Sequence, residues 1–187
     1  TYNASYVGDD KNTYRWGNVE GIAFAPDGST LLCGMRNPLF GNMAMVFALH
    51  GLDEAFESGY APQIKLVDLF TLDLGRRGVS DMCWDSVTKG YRIAAGKSNG
   101  PKLDRAQPFP PNALDSALFW WSGRKSEKPI CFALIPDMKI EAVCRLGSSR
   151  FIAICSDEGD VSEGRTARQS VLTILDFRGI VRRRGGR

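Results

Sequence analysis

The chain has 187 residues, 43% hydrophobic and 24% charged, the composition of an ordinary globular protein. No stretch approaches the roughly 20 uninterrupted apolar residues of a membrane-spanning helix, so no membrane partner is expected. The formal net charge of +3 rests on Arg182, Arg183, Arg184 and Arg187, and without these four charges the body stands at −1. A nucleic-acid reader carries its positive charge on a folded face interleaved with aromatics; here it sits in a Gly/Arg tail, and no nucleic-acid partner is expected.

Five cysteines, Cys33, Cys83, Cys131, Cys144 and Cys155, cannot all pair, and each lies inside an apolar run. Buried reduced thiols are the simplest account, and they favour a cytoplasmic over a periplasmic location. His50 is the only histidine and no Cys-x-x-Cys occurs, so the usual zinc sites lack ligands. The chain opens at Thr1 without a charged-then-apolar leader, which leaves two readings, none present or one removed.

In chain order, the first predicted strand covers Val19-Glu20-Gly21-Ile22-Ala23-Phe24. The turn Pro26-Asp27-Gly28-Ser29 follows, then a second strand through Leu31, Leu32, Cys33 and Gly34 that closes on Arg36. A third strand runs from Ala44 to Leu49 and a fourth from Ile64 to Leu69, with a hint of a helical turn at Leu52–Phe56 between them. Short runs rich in Val, Ile, Leu and Phe, bounded by Gly, Pro, Asp and Ser, read as strands rather than helices.

The pattern then repeats. Ser80-Asp81-Met82-Cys83-Trp84 and Ile140-Glu141-Ala142-Val143-Cys144 again place an acid before an apolar run, and the acids Glu20, Asp81 and Glu141 are 61 and 60 residues apart. Second strands follow at 91–96 and 151–155, and a charged residue stands sixteen positions after each acid: Arg36, Lys97 and Asp157. Third strands follow at 117–121 and 171–175, and a fourth at 130–135. In the last copy only Gly179-Ile180-Val181 remains for a fourth strand. Of the neighbours Trp120 and Trp121, one ring is expected in the core and the other against the next unit.

These features predict an all-β chain of β-propeller blades, built as three four-stranded antiparallel repeats over residues 18–74, 78–136 and 139–187, the last incomplete. Closed propellers need at least about four blades, so the chain is read as a partial propeller or fragment, and the remaining blades or a second copy are needed to close the ring.

First strands line a propeller's channel, which brings Glu20, Asp81 and Glu141 towards one another near its mouth. Carboxylates gathered in a partly desolvated space repel and have raised pKa values unless a cation intervenes. Two remedies present themselves. A hard cation such as Ca2+ would take these oxygens together with Asp157, whose run Asp157-Glu158-Gly159-Asp160 is the most ligand-like in the chain. Alternatively, Arg36 and Lys97 would pair with the acids and no metal would be needed.

Gly75-Arg76-Arg77-Gly78 reads either as a grip for a phosphate or carboxylate, with Arg77 as donor, or as a tight turn with solvated arginines. Gly96-Lys97-Ser98-Asn99-Gly100 matches a hydrolase nucleophile pattern, but Pro101 and a polar loop follow where a helix is required, so a serine triad is not expected. The Pro-rich stretch Lys102–Asn112 reads as an insertion over the blade face.

Several of these segments also carry a resemblance. Asn18-Val19-Glu20-Gly21-Ile22-Ala23, Gly34-Met35-Arg36-Asn37-Pro38-Leu39, Leu74-Gly75-Arg76-Arg77-Gly78-Val79-Ser80-Asp81 and Cys155-Ser156-Asp157-Glu158-Gly159-Asp160, in that order, resemble the bacterial family catalogued as domain of unknown function 3616. The resemblance implies a β-propeller longer than this chain and brings no activity with it. More distantly, the Glu-Gly opening is similar to that of calcium-dependent gluconolactonase-like and phytase-like propellers, in which an inner-strand acid binds metal; only Glu20 and Asp157 have loose counterparts here.

Two functions follow as expectations. The first is a non-catalytic module that binds a small molecule, a cation or a protein partner at the channel mouth, through Glu20, Arg36, Arg77, Asp81, Lys97, Glu141 and Asp157. The second is a metal-assisted hydrolase of phosphate or ester bonds, in which a cation held by Glu20, Asp81, Glu141 and Asp157 polarises the substrate.

Overall fold

The computed structural model describes residues 17–59, 64–97, 116–136, 138–157 and 170–177. These residues form antiparallel sheets and one short helix. The first sheet holds β1 (Asn18–Phe24), β2 (Leu31–Asn37), β3 (Ala44–His50) and β4 (Lys65–Leu72), with helix α1 (Leu52–Ser58) between its third and fourth strands. The second holds β5 (Arg77–Asp85), β6 (Gly90–Lys97), β7 (Ser116–Trp121) and β8 (Ile130–Ile135). The third holds β9 (Ile140–Arg145), β10 (Phe151–Asp157) and β11 (Ser170–Asp176), and its spatial order again follows the chain. The fourth strand expected near 179–181, the loop 102–112 and the arginine tail lie outside the described residues.

The β1–β2 and β5–β6 hairpins are closed by local chemistry. Asp27 accepts from the amides of Ser29 and Thr30 at 2.8 Å while Gly28 takes φ +75°, and Asp85 accepts from the amides of Val87 and Thr88. Such side-chain turns free the flanking strands to alternate, which places one set of residues on each face of a sheet.

The second sheet sits between the other two. Its face bearing Val79, Met82, Tyr91, Ile93, Phe119 and Trp121 packs on the first sheet's Ala23, Leu32, Val46 and Ala48. Its opposite face, with Ala94 and Leu118, packs on Ile140, Val143, Ile152 and Ile154 of the third. Both junction cores are buried, and by area they are the main favourable term holding the sheets together. The tryptophans divide as expected of strand neighbours, and both are buried. Trp121 meets Phe70 of the first sheet with ring centroids 5.0 Å apart, whereas Trp120 lies over Gly90 and donates to Thr88 Oγ1 at 3.1 Å.

Glycines set how closely the first two sheets approach. A Cβ at Gly21 or Gly34 would lie 2.4 or 2.6 Å from Val79 Cγ1, and one at Gly78 would lie 2.0 Å from the Arg36 carbonyl oxygen. The Val79 side chain and the backbone of β5 therefore fit against β1 and β2 only because these positions lack side chains.

One irregularity recurs in all three sheets. Between β1 and β2 the register passes from Val19↔Met35 to Gly21↔Gly34, between β5 and β6 from Val79↔Ala95 to Asp81↔Ala94, and between β9 and β10 from Ile140↔Ser156 to Ala142↔Cys155. Glu20, Ser80 and Glu141 are thus the unpaired residues of three equivalent β-bulges, features that re-aim a side chain out of the strand's alternation.

Candidate functional site

The bulge residues converge. Arg36, at the end of β2, donates through one terminal guanidinium nitrogen to Glu20 Oε2 at 2.8 Å and to Ser80 Oγ, and the same nitrogen lies 3.6 Å from Glu141 Oε2. Its Nε donates to the carbonyl oxygen of Lys97 at 2.7 Å. One buried guanidinium therefore ties together the same position in three sheets.

This arrangement corrects the register inferred from the acids. The counterpart of Glu20 and Glu141 in the second sheet is Ser80, not Asp81, and the sixteen-residue companion is then Gly96, not Lys97. The substitution has a steric reason: a Cβ at Gly96 would lie 3.0 Å from both an Arg36 terminal nitrogen and Ser80 Oγ. Where the first sheet has the pair Glu20 and Arg36, the second has Ser80 and Gly96, two small residues that leave room for the guanidinium of the first.

In the third sheet the same two positions are acids, Glu141 and Asp157, and Lys139 lies between them. Its ammonium is 3.1 Å from Glu141 Oε1 and donates to Asp157 Oδ2 at 2.7 Å. The hydrogen bond to Asp157, reinforced by Glu141 against partial burial, raises the lysine pKa. Glu20, Arg36, Glu141, Lys139 and Asp157 form a continuous chain of alternating charge, with Glu20 and Glu141 partly exposed. The second terminal nitrogen of Arg36 makes no hydrogen bond among the described residues.

The other predicted residues lie apart from this chain or contribute only backbone. Asp81 faces the third sheet, where its Oδ2 accepts from the Val143 amide at 2.7 Å; burial raises its pKa despite that bond and one from Met82. Lys97 contributes its carbonyl oxygen and exposes its side chain. Arg77 is buried and folds back on its own turn, donating to the carbonyls of Leu74 and Gly75 at 3.3 and 3.2 Å, while Gly75 and Arg76 both take φ near +60°. The segment is a tight turn, but Arg77 is buried within it where the turn reading had both arginines solvated. His50 bonds Thr30 Oγ1 at 2.7 Å, and Ser98, Glu158 and Asp160 lie outside the described residues.

A second charged cluster was not anticipated. Asp85, fully buried, accepts from Arg92 Nε at 2.8 Å and from Arg145 Nε and a terminal Arg145 nitrogen at 2.8 Å each. Burial pushes the Asp85 pKa up, but hydrogen bonds from Arg145, Thr88 and Arg92 outweigh it and hold the carboxyl well below its usual range. The Arg92 guanidinium also stacks 4.9 Å over the Phe132 ring. In sequence Asp85 reads as a turn residue and Arg92 as a polar interruption of a strand, and nothing local links either to Arg145, 60 residues on.

Among the described residues the predicted donors are not gathered as a calcium site requires. Calcium takes 6–8 oxygens, yet Glu20 and Glu141 present theirs to a guanidinium, Asp157 presents one to an ammonium, and Asp81 is turned to a backbone amide. Among the described residues no three His, Cys, Asp or Glu side chains are grouped to hold a metal ion, and no helix is long and apolar enough to cross a membrane. No known protein family and no curated protein matches the chain.

Proposed function

We propose that the chain is part of a β-propeller of the 3616 family and serves as a binding module, with the Arg36 junction as its ligand site. The observation that carries this reading is the convergence of Glu20, Ser80 and Glu141, from three separate sheets, on one guanidinium. The motifs that carry the family resemblance include Glu20, Arg36, Gly78, Ser80 and Asp157, four of which meet in this junction or its lysine extension while Gly78 packs beneath it. Among the described residues the carboxylates of Glu20 and Glu141, partly exposed, flank the single guanidinium of Arg36, so the site favours a small molecule or partner side chain that brings a cationic or donor-rich group. Such a group takes over Glu20 and Glu141 from Arg36, whose second terminal nitrogen, without a hydrogen bond among the described residues, then accommodates an oxygen of the same ligand.

A thermal-shift screen of amines, amino acids, sugars, carboxylates, phosphates and divalent cations tests this. The expected result is a rise in melting temperature with an amine- or hydroxyl-bearing compound that is lost in the Glu20→Gln/Glu141→Gln variant. Stabilisation by calcium alone, reversed by chelator, would favour the metal-assisted reading instead. No shift from any compound would leave the charge chain as a purely structural tie.

A further inference from the structure

Two polar atoms of the Arg36 junction are left open. The second terminal nitrogen of Arg36 and Glu141 Oε2 make no hydrogen bond among the described residues, and Glu141 Oε2 stands 3.6 Å from the first terminal nitrogen. Both are reached by solvent, because among the described residues the one buried side-chain nitrogen or oxygen without a hydrogen bond is Arg92 Nη1. An open donor and an open acceptor therefore stand together, on one guanidinium and the carboxylate that faces it.

Both groups are held in place. The Arg36 side chain, 8% exposed, is fixed at Nε by the Lys97 carbonyl oxygen and at its first terminal nitrogen by Glu20 and Ser80. Its second terminal nitrogen lies by Gly96, where a Cβ would come within 3.0 Å, so the missing side chain leaves that nitrogen uncovered. Glu141 is held through its other oxygen by Lys139 at 3.1 Å, and that ammonium is itself held by Asp157 at 2.7 Å. A donor and an acceptor fixed before a ligand arrives lose little freedom when it binds.

Spacing and charge restrict what can use both atoms. The two terminal nitrogens of Arg36 hang from one carbon and Glu141 Oε2 faces the first of them, so a ligand that accepts from the second and donates to Oε2 carries its acceptor and donor close together. A lone anion on the second nitrogen would meet the carboxylates of Glu20 and Glu141, and a lone amine on Glu141 would meet Arg36 and Lys139. Like-charge contact disfavours each. A molecule with an ammonium and a carboxylate on one carbon offers each atom the sign it requires, in two charge-assisted hydrogen bonds.

We propose that the ligand of the Arg36 junction is an α-amino acid, its ammonium on Glu141 Oε2 and its carboxylate on the second Arg36 terminal nitrogen. This deepens the reading of the junction as a ligand site and rests on it.

Titration calorimetry of the full chain with the common α-amino acids, γ-aminobutyrate, methylamine and acetate tests the assignment. One or more α-amino acids should bind about tenfold or more tightly than the other three compounds, each of which lacks one group or spaces the two too widely. In Glu141→Gln, which keeps the shape of the side chain, that affinity should fall by about the same factor, with circular dichroism confirming that the sheets persist. The N-acetyl and methyl-ester derivatives of the tightest binder ask the same of the unmodified chain, and both should bind as weakly as acetate and methylamine. γ-Aminobutyrate binding as tightly as the α-amino acids, or binding confined to methylamine or acetate, overturns the amino-acid class and leaves the junction a ligand site. Affinity unchanged in a folded Glu141→Gln, or retained by either derivative, overturns the placement. Heat from none of these compounds also overturns the inference, and if the wider thermal-shift screen is silent as well, the junction reading falls with it.

Discussion

Asp85 on β5 and Arg145 on β9 form a two-point ion pair across the junction of the second and third sheets, with both carboxylate oxygens 2.8 Å from guanidinium nitrogens. Arg92 shares the same carboxylate, so an acid buried to exclusion of solvent is held by two bases and two turn amides. Removing one member of a buried pair leaves the other uncompensated, which is more costly than the pair's own worth.

Arg145→Met is therefore expected to destabilise the fold by about 3–5 kcal/mol, measured by urea unfolding at neutral pH. Because the folded Asp85 pKa lies below its unfolded value, its contribution is present above the ordinary carboxylate pKa of about 4 and is lost as pH falls through the depressed folded value. The acid-side fall in stability should be shallower in Arg145→Met than in the parent. Equal slopes would show that the pair does not set the acid limb.

Asp81 has the opposite sign. Burial raises its pKa, so its contribution is full below the unfolded pKa and declines as pH rises through the raised folded one. Asp81→Asn keeps an acceptor for the Val143 amide and removes the charge. The variant should be more stable than the parent at neutral pH, with the difference vanishing in acid, as followed by thermal melts across the range. A variant less stable at neutral pH would mean that the fold or a bound cation needs the charge.

Gly78→Ala directs a Cβ at the backbone of Arg36, which cannot swing aside as a side chain can. The two sheets would have to separate, at a cost of roughly 3 kcal/mol or more. Gly28→Ala is the control: at φ +75° with nothing within 4 Å, it incurs only the left-handed backbone term, about 1–2 kcal/mol. Equilibrium denaturation of both distinguishes them, and equal losses would show that close sheet approach is not what Gly78 serves.

Much of the architecture could be read directly from the residues. The apolar runs around Ile22, Cys33, Val46 and Leu69 became strands of one sheet, the Asp27-Gly28 turn closed its first hairpin, and the sixty-residue recurrence became a stack of like units. The candidate site was legible only in part. Glu20, Arg36, Glu141 and Asp157 do join one charge chain, but Asp81 and the side chain of Lys97 do not, and Ser80, Gly96 and Lys139 went unrecognised. Aligning the repeats on their apolar faces, Ile22 with Met82 and Val143, identifies Ser80; aligning them on charge misplaces the second repeat by one residue.

The sequence alone determined strand and turn positions, the repeat and the presence of acids near each repeat's start, because alternation and turn chemistry act between near neighbours in the chain. Tertiary structure alone decided which residue sits in each bulge, that Arg36 binds across three sheets, and that Asp85 meets Arg145. Those outcomes depend on the backbone register and on how closely sheets approach through Gly21, Gly34 and Gly78. A bulge shifts a side chain by one place without changing composition, and an ion pair spanning 60 residues forms only once the intervening sheets have stacked.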